Sequence, residues 1–489
     1  MTRLRLSLRK LGNEEQRKSK EKAHDHTRQL PLLSSFPYFL RSIVLITFLS
    51  ATTVLAAPLK IATFEIDVTP PAGTPLCDGL VQPAKEVVDK LSLRGIVLLG
   101  DDRPIVLVAV DWVGIGNAGQ DAFRDAIAEA AGTTQERVAV HALHQHDAPG
   151  CDFAADDIAR EFGHGDKLFN VRFARSCIEK TSAAVAGAMK SPRAVTHIAI
   201  GSAKVDRVAS NRRILGPLGR VKIVRYSSSR SPDAIAAPEG VIDPMLKLIA
   251  FFDGDKPITI LTWYATHPQS YYGQGGVSAD FVGMARNQRD KDTGITHIHF
   301  NGAGGNVAAG KYNDGSPPRR AELAGRLADG IKSAWDGAKK TPLTAEDLSW
   351  AVEPVVLPLS PRLEDDAPLI ATLKNPNAST RDVSRAARDL SYARRVQQKK
   401  PIDITLLTLG PARVLHMPGE LFIEYQPESQ KIAGTDACIA MAAYGDYGPG
   451  YIGTAIGYEQ GGYETGIVSR TSPAVEKTLV DAMKKLLEK

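Results

Sequence analysis

The 489-residue sequence predicts an α/β (α+β) fold, with a mixed β-sheet core, flanking helices and an inserted helical segment. Three observations predict it. Apolar runs of strand length alternate along the chain with stretches of helical spacing. Two pairs of such runs are joined by turn sequences, Asp253-Gly254-Asp255-Lys256-Pro257 and Gly410-Pro411, which makes each pair an antiparallel hairpin. Residues 104–113 are apolar almost without interruption, which suits a strand covered on both faces.

Taken in order, 59–68 reads as a strand closed by Thr69-Pro70-Pro71-Ala72-Gly73, and 104–113 as a second. A helix over about 120–131 leads to the apolar run 137–140, a buried strand. Residues 171–190 have helical spacing and 194–205 alternate like a strand. The hairpin 247–252 with 258–263 follows, and the strand 295–300 runs into Asn301-Gly302-Ala303-Gly304-Gly305-Asn306. A helix is expected at 319–337. Residues 362–400 are polar and helix-forming with proline at both flanks, which predicts an inserted helical hairpin or cap. The second hairpin pairs 404–409 with 413–417. No internal repeat or low-complexity tract is visible.

The N-terminus is set apart from this pattern. A long basic leader ends in Arg41, the apolar stretch 42–55 follows, and Leu55-Ala56-Ala57-Pro58 offers small residues for cleavage. This predicts an export signal at about 41–57, hence a periplasmic or secreted protein. Its apolar core is shorter than the roughly 20 residues a spanning helix needs. Residues 1–57 hold ten Lys/Arg and four Asp/Glu, so the formal net charge of +5 belongs to the leader, and the remainder carries 50 basic against 51 acidic residues. A balanced chain of this kind gives no footing for nucleic acid, whose phosphates call for a basic surface. Cys77, Cys151, Cys177 and Cys438 show no Cys-x-x-Cys spacing, which excludes a zinc ribbon or a thioredoxin-type site and leaves one or two disulfides open after export.

The chemistry concentrates at strand ends. His141, His144 and His146 fall within six positions, directly after the run 137–140 and ahead of Pro149-Gly150. Neutral imidazole is the commonest protein metal ligand, and loops at strand ends are where α/β proteins build sites. On extended backbone His144 and His146 share a face and His141 points away. One of the pair then binds a metal and the other moves protons; satisfied polar residues at a loop edge are the plainer alternative. Four further segments bring similar residue types to strand ends. His267 closes an apolar strand before Pro268, and Glu420 follows Pro418-Gly419. Tyr451, Tyr458 and Tyr463 lie in glycine-rich sequence after Tyr447, and Ser210-Asn211-Arg212-Arg213 is either an anion or carbonyl clamp or a surface basic pair. Together they supply imidazole, carboxylate and phenol donors, which suit zinc in a hydrolytic site.

In wording and order these segments resemble the catalytic domain of neutral/alkaline (non-lysosomal) ceramidases. The resemblance rests on Asp67-Val68-Thr69-Pro70-Pro71, His144-Gln145-His146 with Pro149-Gly150, Asn211-Arg212, Thr266-His267, Pro418-Gly419-Glu420, and the spacing of Tyr451, Thr454, Tyr458 and Tyr463-Glu464. It spans roughly residues 59–475 and makes 58–489 one catalytic domain. It implies Zn2+ held by His144, His267, Glu420 and Tyr451, proton transfer by His146, and an oxyanion steadied by Arg212 with Tyr458 or Tyr463. The implied reaction is hydrolysis of an amide by metal-activated water, and the implied partner is a small-molecule or lipid amide substrate. Membrane contact would then come through that substrate or an uncleaved signal.

Departures from the family pattern bear on substrate. Ala308 stands where the family has a serine against the substrate, and Ile456-Gly457 replaces a pair of glutamates. A site that loses a polar contact changes its substrate choice strongly. Two other classes remain: a non-catalytic exported binding protein that keeps the fold and a zinc site, and a phosphate-binding enzyme using the loop 301–306. The second needs a helix directly after the loop, and Val307 onward is a poor helix start.

Overall fold

The computed structural model describes residues 58–434 and 438–488. The leader and export signal expected over 1–57 lie outside the described residues. No helix among the described residues is long and apolar enough to cross a membrane.

Three sheets follow one another along the chain and repeat one plan. In the first, β1 (Lys60–Asp67), β2 (Ser92–Leu99) and β3 (Ile105–Val110) form an antiparallel meander. Helix α1 (Ala118–Ala131) then crosses back to β4 (Val138–Ala142), which runs parallel to β3. Helix α2 (Val171–Ala188) packs on α1 and leads into the second sheet. There β5 (His197–Lys204), β6 (Met245–Asp253) and β7 (Lys256–Tyr264) make the meander, and α3 (Asp280–Thr293) carries the chain to a parallel β8 (Thr296–Asn301). Helix α4 (Pro317–Asp336) packs on α3. The third sheet joins β9 (Leu348–Val355), β10 (Ile402–Leu409), β11 (Ala412–His416) and a parallel β12 (Cys438–Ala442) in the same spatial order, again with a helix, Tyr425–Ala433, before the fourth strand. A parallel pair needs a crossover of a dozen or more residues, and each unit meets that need with a helix between its third and fourth strands.

One core ties the units together. Leu107, Leu261 and Leu407, one from each sheet, belong to the same buried cluster, and each fully buried leucine is worth about 2 kcal/mol of apolar transfer. The fourth strands also join at their carboxyl ends. The Ala142 amide donates to the Tyr444 carbonyl (3.1 Å), and the Ala443 amide donates to the Asn301 carbonyl (3.0 Å). The Asn301 side chain donates to the Leu143 carbonyl (2.5 Å).

The expected helical hairpin is present as α5 (Ala367–Lys374) and α6 (Thr380–Gln397), lying between β9 and β10. Ser379 caps α6 by accepting the Asp382 amide (3.2 Å). One face of α6, with Val383, Ala386, Ala387 and Leu390, packs on Ile158 and Leu168. The disulfides left open by the sequence are not formed: all four cysteines are free, and three of them are buried.

Candidate active site

Every predicted metal ligand and the predicted proton carrier follow the carboxyl end of a strand from one of the three parallel pairs. That is where ligands sit in parallel sheets. His144 and His146 follow β4, His267 follows β7, Glu420 follows β11, and Tyr451 follows β12.

The structure corrects the expectation that His144 and His146 share a face of extended backbone. The strand stops at Ala142, and His144 has φ +67°, in the left-handed region, where a non-glycine residue costs on the order of 1–3 kcal/mol. The His144 amide is held there by the Trp112 carbonyl (2.8 Å). The two rings still meet, with centroids 4.8 Å apart. His141 does point elsewhere, with its ring against Phe300 (5.3 Å) and its Nε2 accepting the Asn301 amide (3.1 Å).

His144 Nδ1 lies 2.5 Å from the Val113 carbonyl. A carbonyl only accepts, so Nδ1 carries a proton and Nε2 is the nitrogen left to face the site. The His267 ring centroid is 4.5 Å from that of His144 and 5.1 Å from that of His146. Its Nδ1 faces the Tyr444 hydroxyl at 3.4 Å, which leaves Nε2 without a partner. Glu420 is aimed by the turn before it. Gly419 has φ +62°, and a Cβ there would stand 2.5 Å from the Gly450 carbonyl oxygen, so only glycine fits. Glu420 then pairs in parallel with Tyr451. Its Oε2 reaches 3.2 Å from His144 Nε2 and 4.0 Å from His267 Nδ1.

The fit to a metal follows from what remains unpaired. His144 Nε2, His267 Nε2, His146 Nδ1 and Glu420 Oε2 are all buried without a hydrogen-bond partner. One ring nitrogen from each of the three histidines lies within 4.8 Å of the others. A buried polar atom left unsatisfied costs about 1–3 kcal/mol, so a cluster of them in one spot is the signature of a group that completes it. Among the described residues the three histidines are the group that meets this spacing; Glu420 Oε2 stands outside it, against His144 Nε2 and the Nδ1 side of His267.

Charge at the site is set mainly by burial. Desolvation, helped by His144 and Arg212, holds His146 well below the usual imidazole range, and burial does the same for His267. Both are therefore neutral, the form that binds metal or accepts a proton. Burial alone would raise the Glu420 carboxyl, but His144 and a hydrogen bond from Tyr451 outweigh it and keep Glu420 ionised. Burial pushes the Tyr451 phenol well up and that of Tyr463 up to about 12.

Arg212 is no surface residue. Its Nη1 donates to the Tyr451 hydroxyl (3.0 Å), and its Nε lies 3.3 Å from Glu464, whose other oxygen meets Arg213 at 3.4 Å. Glu464 is wholly buried between the two guanidiniums. The tyrosines divide. Tyr463 lines the cavity, 5.7 Å from the Tyr451 ring. The hydroxyl of Tyr458 is instead bound to Ser469 and Thr471 at 2.8 Å each, away from the cavity.

A cavity of about 580 Å3 opens over this floor, lined in part by His144, His146, Arg212, Glu420, Tyr451 and Tyr463. Ala308 is buried beside His267 and does not line it. The glycine loop 301–306 makes no anion nest in front of a helix; Val307–Ala308 continues it as a short strand. Gly305 packs so tightly beneath Glu420 that a Cβ would stand 2.2 Å from the Glu420 carbonyl oxygen. Sequence reasoning missed Tyr444, Glu464 as the counter-ion, and the Val113 carbonyl. Only Glu464 left a trace, beside the spaced tyrosines.

The chain matches no family model and no curated protein. Solved structures do match, and they define the fold as ceramidase-like. A ceramidase complexed with C2 superposes with a TM-score of 0.66 at 15% identity, covering 88% of this chain and 75% of that one. The neutral ceramidase from Pseudomonas aeruginosa superposes with a TM-score of 0.64 at 17% identity, with the same coverage. The fold implied by the motif order is thus the observed fold.

Proposed function

We propose that this chain is an exported, zinc-dependent hydrolase that cleaves an amide bond, with N-acyl lipid amides as the substrate class. The observation that carries the reading is the set of unpaired buried atoms, His144 Nε2, His267 Nε2 and Glu420 Oε2; His144, Glu420 and His146 line the cavity, and the His267 ring stands 4.5 Å from that of His144. His144, His267 and Glu420 would hold the zinc, with Tyr451 as fourth donor; an anionic carboxylate 3.2 Å from His144 Nε2 suits a dication better than a third neutral imidazole. When bound, zinc polarises a carbonyl and lowers the pKa of water towards 7.

The remaining work falls to the protein. Neutral His146 takes the proton of the attacking water and passes it to the leaving amine nitrogen. Tyr463 donates to the carbonyl oxygen as charge builds there, and Arg212 adds positive potential, tempered by Glu464. Tyr226, Tyr272 and Ile467 give the cavity apolar walls suited to an acyl chain. The ceramidase fold supports this class. The leader supports export, and N-terminal sequencing of the mature protein is expected to start near Pro58; a mature chain that keeps Arg41 would overturn it.

Elemental analysis of the purified protein tests the metal. About one zinc per chain is expected, lost in both His144→Ala and Glu420→Ala. Metal content indifferent to both changes would sink the reading.

A further inference from the structure

The cavity is lopsided in charge. Its lining includes five arginines, Arg212, Arg381, Arg385, Arg388 and Arg470, against a single carboxylate, Glu420. Three of the five are accounted for by the protein itself. Arg212 faces Glu464, Arg388 meets Asp78 at 2.7 Å, and Arg470 meets Asp389 at 2.7 Å. Arg381 and Arg385 have no hydrogen bond or ion pair among the described residues. They stand four apart on α6, so their guanidiniums occupy the same face, where like charges repel. Arg381 also sits in the first helical turn, where the macrodipole disfavours a cation. The acid nearest in sequence, Asp382, is taken up by the Ser379 hydroxyl at 2.7 Å. Arg381 is exposed and Arg385 half-buried, so the pair flanks the way in rather than the floor.

Two guanidiniums without a protein partner on one wall of a concave site leave a local excess of positive charge that an anionic ligand would meet. Resting on the hydrolase reading above, we infer that the amide substrate carries an anionic group, a carboxylate or a phosphate, that is met by Arg381 and Arg385 on α6 while the scissile bond lies over the histidines. A zinc ion, where bound, would add to the same positive field, and a guanidinium fork suits either oxyanion.

The test compares three amides of one acyl chain: N-dodecanoylglycine, its uncharged glycinamide, and N-dodecanoylphosphoethanolamine. An anionic amide is expected to have a kcat/KM about tenfold or more above the glycinamide, carried in KM. That ratio should collapse towards one in R381A/R385A and be largely retained in R381K/R385K. The carboxylate and phosphate arms identify which anion is preferred. Equal use of all three amides, or a preference untouched by R381A/R385A, overturns the inference and leaves the hydrolase reading standing. If no amide is cleaved, calorimetric binding of N-dodecanoylglycine to the full protein decides. Binding that R381A/R385A weakens upholds the anion site while the hydrolase reading fails, and binding indifferent to the arginines overturns the inference as well.

Discussion

Replacing His146 by alanine is expected to leave zinc in place and lower kcat by about 10²–10⁴-fold, the usual worth of positioned proton transfer. His144→Ala, by contrast, should remove metal and turnover together. The two residues are separated by one position, and their rings by 4.8 Å, yet their surroundings differ. His144 is fixed by the Val113 carbonyl, which leaves Nε2 beside Glu420 Oε2 at 3.2 Å. His146 lines the cavity and is held neutral by burial. Metal analysis and kinetics on the same two variants separate the roles. If His146→Ala loses its zinc, the third ligand is His146 rather than Glu420, and if it keeps full turnover the proton-transfer role is wrong.

Stability should fall steeply as the medium turns acidic. Burial holds His299 and His416 down to about 3, His299 with help from Arg286. Between pH 3 and 6.5 the unfolded chain therefore binds protons that the folded one refuses, and stability rises with pH across that window. At pH 5 each histidine costs about 2 kcal/mol relative to neutral pH. Asp152, whose carboxyl burial raises to about 6, works the other way between pH 4 and 6, so the observed slope is a difference. Urea unfolding from pH 7 to 4.5, compared between the wild type and a double variant, reads the part these two histidines contribute. In H299N/H416N an amide can keep the bonds to Thr262 (2.9 Å) and Thr405 (3.2 Å) without titrating. That variant should show a flatter acid limb, the remainder coming from the other buried histidines; an unchanged slope would show that these two titrate normally in the folded state.

Strands β1, β3 to β8, β10 and β11, both hairpins and the helical insertion were legible because each rests on local pattern; β9 and β12 went unread. So did β2, because Arg94 and Gly95 break its apolar run. Arg94 is paired with Asp290 at 2.7 Å, and Gly95 lies where the Phe64 ring leaves no room for a Cβ. Helix α3 hid for a related reason, with Gly283 and many charges diluting its apolar stripe. The threefold plan of the sheets left no repeat in sequence, since the units share strand order and not residues. At the site, residue types and strand-end positions could be read, but the turn that rotates His144 could not. Its φ of +67° is imposed by backbone bonds to distant residues. Tyr458 and Tyr463 are equivalent by spacing, and only packing sends one to the cavity and the other to Ser469.

Because the proposed donors are spread over the three units, His144 on the first, His267 on the second, Glu420 and Tyr451 on the third, no unit alone holds the complete set. A chain with its first two sheets built has His144 and His267 but lacks Glu420, some 150 residues further on. On the proposed zinc reading, tight capture of an ion would then be the last event of maturation, a lock that closes only over a finished molecule. Metal loading would then report complete folding.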